Sequence, residues 1–362
     1  MATLAANLVK NCLRIRSSDN VSIFFYPHTL ELAEDIATEC FRAGADAILV
    51  AYTDKFYESY MKMLPIENLK EPSVYCRALT DHSTAQFWIG ALHDPSVFRR
   101  ISPERMAATS EGETKSHYVP PAERKTRSLF VELGLVTRPR AKTYGFSYPA
   151  WERTIREASA VPAGKLRIDG RKLAGILETG DRVRIKANGG TDLEFSIRGR
   201  RAYVYDGVVD DEDIAAGALD AGIPAGNVNV SPIETSANGT IVFNVSQPWA
   251  GRLIRQMRWT FDDGKVTSFS GDANSLLLKK EWELSGGDRD RIGTFSIGLN
   301  PRAKYGFLSN GIVRGAVSIG IGGNDAEGGT NKPGFNHMQA VQNATVELDG
   351  KPIVRAGKLV AI

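Results

Sequence analysis

The chain has 362 residues, of which 42% are hydrophobic and 24% charged, with a formal net charge of +3. That length accommodates two domains with a core each, and the composition is that of an ordinary soluble globular protein. The small charge surplus argues against a nucleic-acid surface, which needs clustered cations, and no run approaches the roughly 18 apolar residues of a membrane span.

In chain order, "MATLAANLVKNCLRIRSSDN" reaches charge by Lys10 and has no continuous apolar core. It reads as an amphipathic helix, not a signal peptide. "VSIFFYP" is a short apolar strand, and "TLELAEDIATECFRAGAD" has helical spacing with Thr29 as N-cap. "AILVAYT" is a second strand, so the order β-α-β implies parallel pairing with a right-handed crossover. "STAQFWIGAL" reads as a further helix. Residues 94–145 are mixed and basic, with "YVPP" and "TRPRAK" as breakers and "PPAERKTRSLF" as a solvated connector. "YPAWERTIREASA" is an amphipathic helix with Trp151, Ile155 and Ala158 on one face.

The second half changes period. "DRVRIKAN", "TDLEFSIRGRRAYVYDG", "GTIVFNVSQ", "QMRWTFDDGKVTSFSGD" and "GAVSIGIGG" are strands separated by glycine or Asp-Gly turns, and "SLLLKKEWELSG" is a helix among them. The fold class is α/β: an N-terminal parallel α/β domain over residues 1–165, then a β-rich α+β domain over 166–362 that carries the candidate site.

The cysteines Cys12, Cys40 and Cys76 are widely spaced. Without a CxxC pair they offer neither a zinc knuckle nor a redox dithiol, and they fit a reducing cytoplasm. Cys12 and Cys40 lie in apolar-patterned stretches as small core residues. Gly320, Gly322 and Gly323 form no GxGxxG and precede no helix, so the glycine-rich stretch 315–339 is not a phosphate cradle. Ser318, in "AVSIG", is not on a GxSxG elbow. His337 has no HxH, HxxxH or HxD partner, because Gln339 follows two residues later.

"YPAWER", "DRVRIKANGGTDLEFSIRGR", "NVNVSPIETSANGTIVFN", "FSIGLNPRAKYG" and "GAVSIGIGGNDAEGGTNKPGFNHMQAV", taken in order, resemble the aminopeptidase T family of leucyl-type metallo-aminopeptidases. "GLNPRA" is also similar to a related branch, the 2,5-dihydroxypyridine 5,6-dioxygenases. The resemblance implies a two-domain aminopeptidase T-like fold, a homodimer, and a metal site in the C-terminal domain. That site holds two divalent ions in the first branch and one iron in the second.

Position by position, the resemblance puts Asn227, Thr294, Ser318 and Gln339 where the family has glutamate, glutamate, histidine and aspartate. His337 is the retained ligand, and Asp325 lies nearest the family's tyrosine position. Loss of three carboxylates removes about three units of charge from around two divalent ions, and each opposite pair at 4 Å is worth roughly 4 kcal/mol at an effective dielectric of 20. The neutral replacements bind a hard cation weakly.

The expectation is a divergent member without the metal pair, whose polar cleft binds a small molecule or peptide. Asn227, Thr294, Arg302, Ser318, Asp325 and Gln339 would line it, with His337 as donor or general base; Arg302 and Lys304 would hold a carboxylate or stand as surface cations. One alternative is an active aminopeptidase in which Glu234, Asp325, Glu327 and His337 hold zinc, cobalt or iron. The others are a ring-cleaving dioxygenase and a non-catalytic subunit of a complex. A cytoplasmic protein with no nucleic-acid or membrane partner is expected in each case.

Overall fold

The computed structural model describes residues 3–362. The chain forms two compact units, one running to Arg156 and including Gly207–Pro224, the other made of Glu157–Asp206 and Ala225–Ile362. The expected boundary near residue 165 falls within the helix Ala163–Glu178 of the second unit.

The first unit is built on β1 (Asn20–Phe25), β2 (Asp46–Ala51), β3 (Ala85–Ile89) and β4 (Arg127–Val131). These lie parallel in the order β2-β1-β3-β4, and one strand from later in the chain joins beyond β4. The helix Leu30–Arg42 returns the chain from β1 to β2. Its Ala33, Ile36, Ala37 and Cys40 join Cys12, Val21, Ile23, Phe25, Phe87 and Leu129 in one buried core. Thr29 stands at the expected N-cap position, but its hydroxyl does not cap. It donates to the carbonyls of Tyr26 and Ile89 instead, tying the end of β1 to that of β3.

Three expectations for this unit are corrected. "AQFWI" is β3, not helix: a short apolar run fits either period, and pairing of Phe87 with Ile23 and Leu129 decides for strand. The breaker segments are largely helical: Pro139 occupies the first turn of the helix Arg138–Tyr144, where no amide partner is lost, and Val119–Arg124 continues a helical run from the preceding segment. The basic connector is no connector either, since Arg127 is buried at the start of β4 and paired with buried Asp19.

The helix Tyr148–Ser159 buries Trp151, Ile155 and Ala158 as its spacing requires. The chain then runs through β5 (Arg182–Ala187), β6 (Thr191–Ser196) and β7 (Ala202–Tyr205). β8 (Asp220–Ile223) is the strand that joins β4 in the first unit. There follow β9 (Asn227–Val230), β10 (Asn238–Val242), β11 (Gln247–Trp249), β12 (Arg252–Ile254), β13 (Arg258–Asp262), β14 (Lys265–Ser270) and β15 (Ile292–Gly298). The last strands are β16 (Val317–Gly322), β17 (Asn336–Val341), β18 (Thr345–Leu348), β19 (Lys351–Arg355) and β20 (Lys358–Leu359). The helix expected at "SLLLKKEWELSG" is Ser275–Leu284.

These strands make an eight-stranded sheet, β14-β13-β10-β6-β5-β18-β19-β20, a small β11-β12 ribbon, and an antiparallel five-stranded sheet, β17-β16-β15-β9-β7. The two larger sheets meet through apolar faces, with Phe195 of β6 edge-on to Phe295 of β15 at 5.3 Å. The helix Ala163–Glu178 packs on the same face of the five-stranded sheet. There Gly170 lies so close to Val204 of β7 that a Cβ would stand 2.3 Å from Cγ1.

Candidate functional site

Strict alternation gives the five-stranded sheet two unlike faces. In "NVNVS" Val228 and Val230 are buried while Asn227 and Asn229 point the other way; in "TFSIG" Phe295 and Ile297 are buried opposite Thr294 and Ser296. Register aligns the polar set into rows. Ser296 lies opposite both Asn229 and Ser318, Thr294 opposite Gly320, and Tyr203 opposite Asn229. A face of hydroxyls and amides spanning four strands results.

The glycine-rich loop lies across this face and inserts Glu327. Tyr205 donates from its hydroxyl to Glu327 Oε1 at 2.8 Å, and Asn229 Nδ2 donates to the same oxygen at 2.7 Å. Thr294 Oγ1 reaches Oε2 at 3.3 Å, and Ser231 Oγ donates to the backbone carbonyl of Glu327 at 3.0 Å. Asn227 Nδ2 continues the network to Asn229 Oδ1 at 2.6 Å and Ser296 Oγ at 3.3 Å. Each carboxylate oxygen has two lone pairs, so Oε1 is filled and Oε2 keeps an open position.

The loop is rigid for reasons in its own sequence. Asn324 Nδ2 donates to Glu234 Oε1 and to the Gly293 carbonyl, each at 3.2 Å, and its Oδ1 accepts the Asn331 amide at 2.8 Å. Asn331 Nδ2 donates to the carbonyls of Ile292 and Gly322, both at 2.9 Å. Gly328, at φ +70°, closes the turn Asp325–Glu327, and Arg200 holds its carbonyl at 2.7 Å.

The structure divides the residues singled out from sequence. Asn227, Thr294, Ser318 and Glu327 share the polar face. His337 and Gln339 pair with Ile321 and Ile319, so they point to the opposite, core side. There the His337 ring stands edge-on to Trp259 at 6.0 Å, and Gln339 Nε2 donates to the Val245 carbonyl at 2.9 Å. Burial pushes the His337 imidazole down to about 4, against the opposing contact with Gln339. The expected single pocket with His337 as base is therefore not assembled: strand alternation puts Met338, not His337, on the Thr294 side.

Glu234 is buried and ion-paired with Arg200, and it accepts the Thr330 amide at 2.7 Å. Burial acts to raise its carboxyl, but the Thr330 amide, Asn324 and Arg200 outweigh that and hold it below the usual carboxylate range. It staples the loop. Asp325, Arg302 and Lys304 are exposed, and Arg302 is placed by its amide, which donates to Asn300 Oδ1 at 2.9 Å. Ser318 is buried, and its Oγ has no hydrogen-bond partner.

Asn229, Ser296, Tyr205 and Ser231 belong to the network but were not singled out from sequence. The signal was present as polar residues at every second position of "NVNVS" and "TFSIG". Among the described residues no three His, Cys, Asp or Glu side chains come together to hold a metal ion. The polar face offers one carboxylate with neutral oxygens and no imidazole. It fits neither two ions, which need bridging carboxylates, nor one iron on a two-histidine, one-carboxylate set.

No curated protein matches the sequence. Among solved structures, wild-type AmpT from Thermus thermophilus superposes with a TM-score of 0.74 at 14% identity, covering 99% of this chain and 98% of that one. The 2,5-dihydroxypyridine dioxygenase of Pseudomonas putida KT2440 gives a TM-score of 0.60 at 15% identity, covering 96% and 94%. At such identities these likenesses establish the fold, as the two resemblances in the sequence implied. The family model of NicX, 2,5-dihydroxypyridine 5,6-dioxygenase, matches residues 158–361. That stretch is more than half of the chain and contains the whole polar face, so the chain belongs to the NicX family.

Proposed function

We propose that this chain binds a small molecule or peptide on the polar face of its five-stranded sheet, with Glu327 as the anchoring acceptor and without a metal ion in that face. The observation that carries the reading is the donor set: three side chains from three strands converge on one carboxylate whose Oε2 keeps an open acceptor position. Such a position suits an amine or hydroxyl of the ligand, while Asn227 and Ser296 supply neutral hydrogen bonds beside it. A buried Ser318 hydroxyl without a protein partner supports the same reading, since leaving such a group unpaired costs about 1–3 kcal/mol that a ligand or water would recover.

The test uses chelator-treated protein and a panel of amines, amino acids, short peptides and hydroxylated pyridines, read by thermal shift and calorimetry. The expected result is at least one ligand whose binding is lost in Glu327→Gln and Asn229→Ala. Turnover of a peptide or hydroxypyridine that requires iron(II), zinc or cobalt, and is abolished by the same two replacements, would overturn the metal-free reading.

A further inference from the structure

We propose a second site, wholly within the first unit, in which His28 and His93 hold a divalent transition-metal ion. The parallel sheet runs outward from β1 in two directions, to β2 on one side and to β3 and β4 on the other. At such a reversal the loops leaving neighbouring strands part, and a crevice opens beyond the carboxyl ends of the strands. The loop after β1 carries His28 and the loop after β3 carries His93, and both side chains are exposed. Their ring centroids are 5.0 Å apart with the planes inclined at 55°. Two imidazoles on one tetrahedral ion, each bonded at about 2.0–2.1 Å, place their centroids roughly 5 Å apart.

The surroundings orient the His28 ring as a ligand is oriented. His28 Nε2 lies 2.9 Å from the Gly134 carbonyl, which can only accept, so Nε2 carries the hydrogen and Nδ1 presents its lone pair. A backbone carbonyl behind the second ring nitrogen is the usual outer partner of a metal-bound histidine.

The His93 loop is held from several sides. Its amide and that of Asp94 donate to the two oxygens of Asp54 at 2.8 and 2.9 Å, and Thr137 Oγ1 donates to the His93 carbonyl at 2.6 Å. Gly90 and Gly134 approach so closely that a Cβ on Gly90 would stand 2.4 Å from the Gly134 oxygen, so the loops after β3 and β4 pack backbone against backbone. Thr29 ties β1 to the same end of β3. Both Asp54 oxygens are taken by the His93 and Asp94 amides, and the Arg140 guanidinium, which donates to the neighbouring Leu92 carbonyl, offsets the charge of that carboxylate, so the two imidazoles themselves carry the binding. With two protein ligands, water completes the coordination, and imidazole nitrogen selects zinc, copper or nickel over magnesium or calcium.

Chelator-stripped protein is titrated with zinc chloride and with magnesium chloride, and bound metal is counted after gel filtration. About one zinc per chain and no magnesium is expected, with the zinc lost in His28→Ala and in His93→Ala and kept in His82→Asn, an exposed histidine elsewhere in the unit. Zinc stoichiometry unchanged by the first two replacements would overturn the site. Should either variant fail to fold, imidazole nitrogen NMR of the wild type decides. Zinc-dependent shifts at both His28 and His93 support the site, and their absence overturns it.

Discussion

Glu327 shows how one residue's role is set by what converges on it. Its carboxylate accepts Tyr205 and Asn229 on one oxygen and Thr294 on the other, so Glu327→Ala leaves those donors facing one another without their acceptor. Ligand binding to the polar face is expected to weaken by about 10-fold or more, the scale of one charge-assisted hydrogen bond. Thr294→Val should cost less, because its contact is the longest. Calorimetric titration of both variants with the same ligand checks this order. His337 gives the opposite expectation. Packed against Trp259 on the core side, it contributes nothing to the face, so His337→Phe should leave ligand affinity within about 2-fold of wild type. Sequence singled out both residues, but spacing alone did not say which was central: only the direction of each side chain from its strand does.

At the scale of elements, alternation was the most legible signal and register the least. "NVNVS" and "TFSIG" state in sequence that each strand has a polar and an apolar side. Which polar residues become neighbours depends on pairings such as Ser296 with Asn229 and Ser318, between segments about 20 to 70 positions apart. β3 is illegible in sequence for a related reason, since five apolar and amide residues fit a helix until a sheet partner is present. The helix Ala163–Glu178 offers a direct test of element packing. Gly170→Ala should destabilise the protein by about 1–3 kcal/mol through the clash with Val204, and Val204→Ala in the same chain should recover part of that loss. Denaturant unfolding of the single and double variants measures the coupling.

At the scale of the whole molecule, buried acids tie stability to pH, and Glu281 is one of them beside Glu132 and Glu113. Burial pushes the Glu281 carboxyl, on the helix Ser275–Leu284, up to about 7. The unfolded chain releases that proton at the ordinary value of 4.5. Between these values the folded state holds more protons, so stability falls as pH rises from about 4.5 to 7 and the loss is complete above that. Glu281→Gln should therefore be more stable than wild type at pH 8 by about 2–3 kcal/mol, and no more stable at pH 4. Denaturation midpoints at the two pH values decide it. By itself the sequence determined the fold class, the change from a parallel α/β to a β-rich architecture and the resemblance to both family branches, because periodicity and block order are read along the chain itself. The loop's asparagines and glycines were equally visible, but their bonds to Gly293, Ile292 and Glu234 were not. Tertiary structure alone decided that residues 207–224 return to the first unit's sheet, that His337 leaves the face its neighbours form, and that Glu327 enters it. Each of these depends on hydrogen-bond partners distant in sequence, and a one-residue difference in register reverses which way every side chain of a strand points.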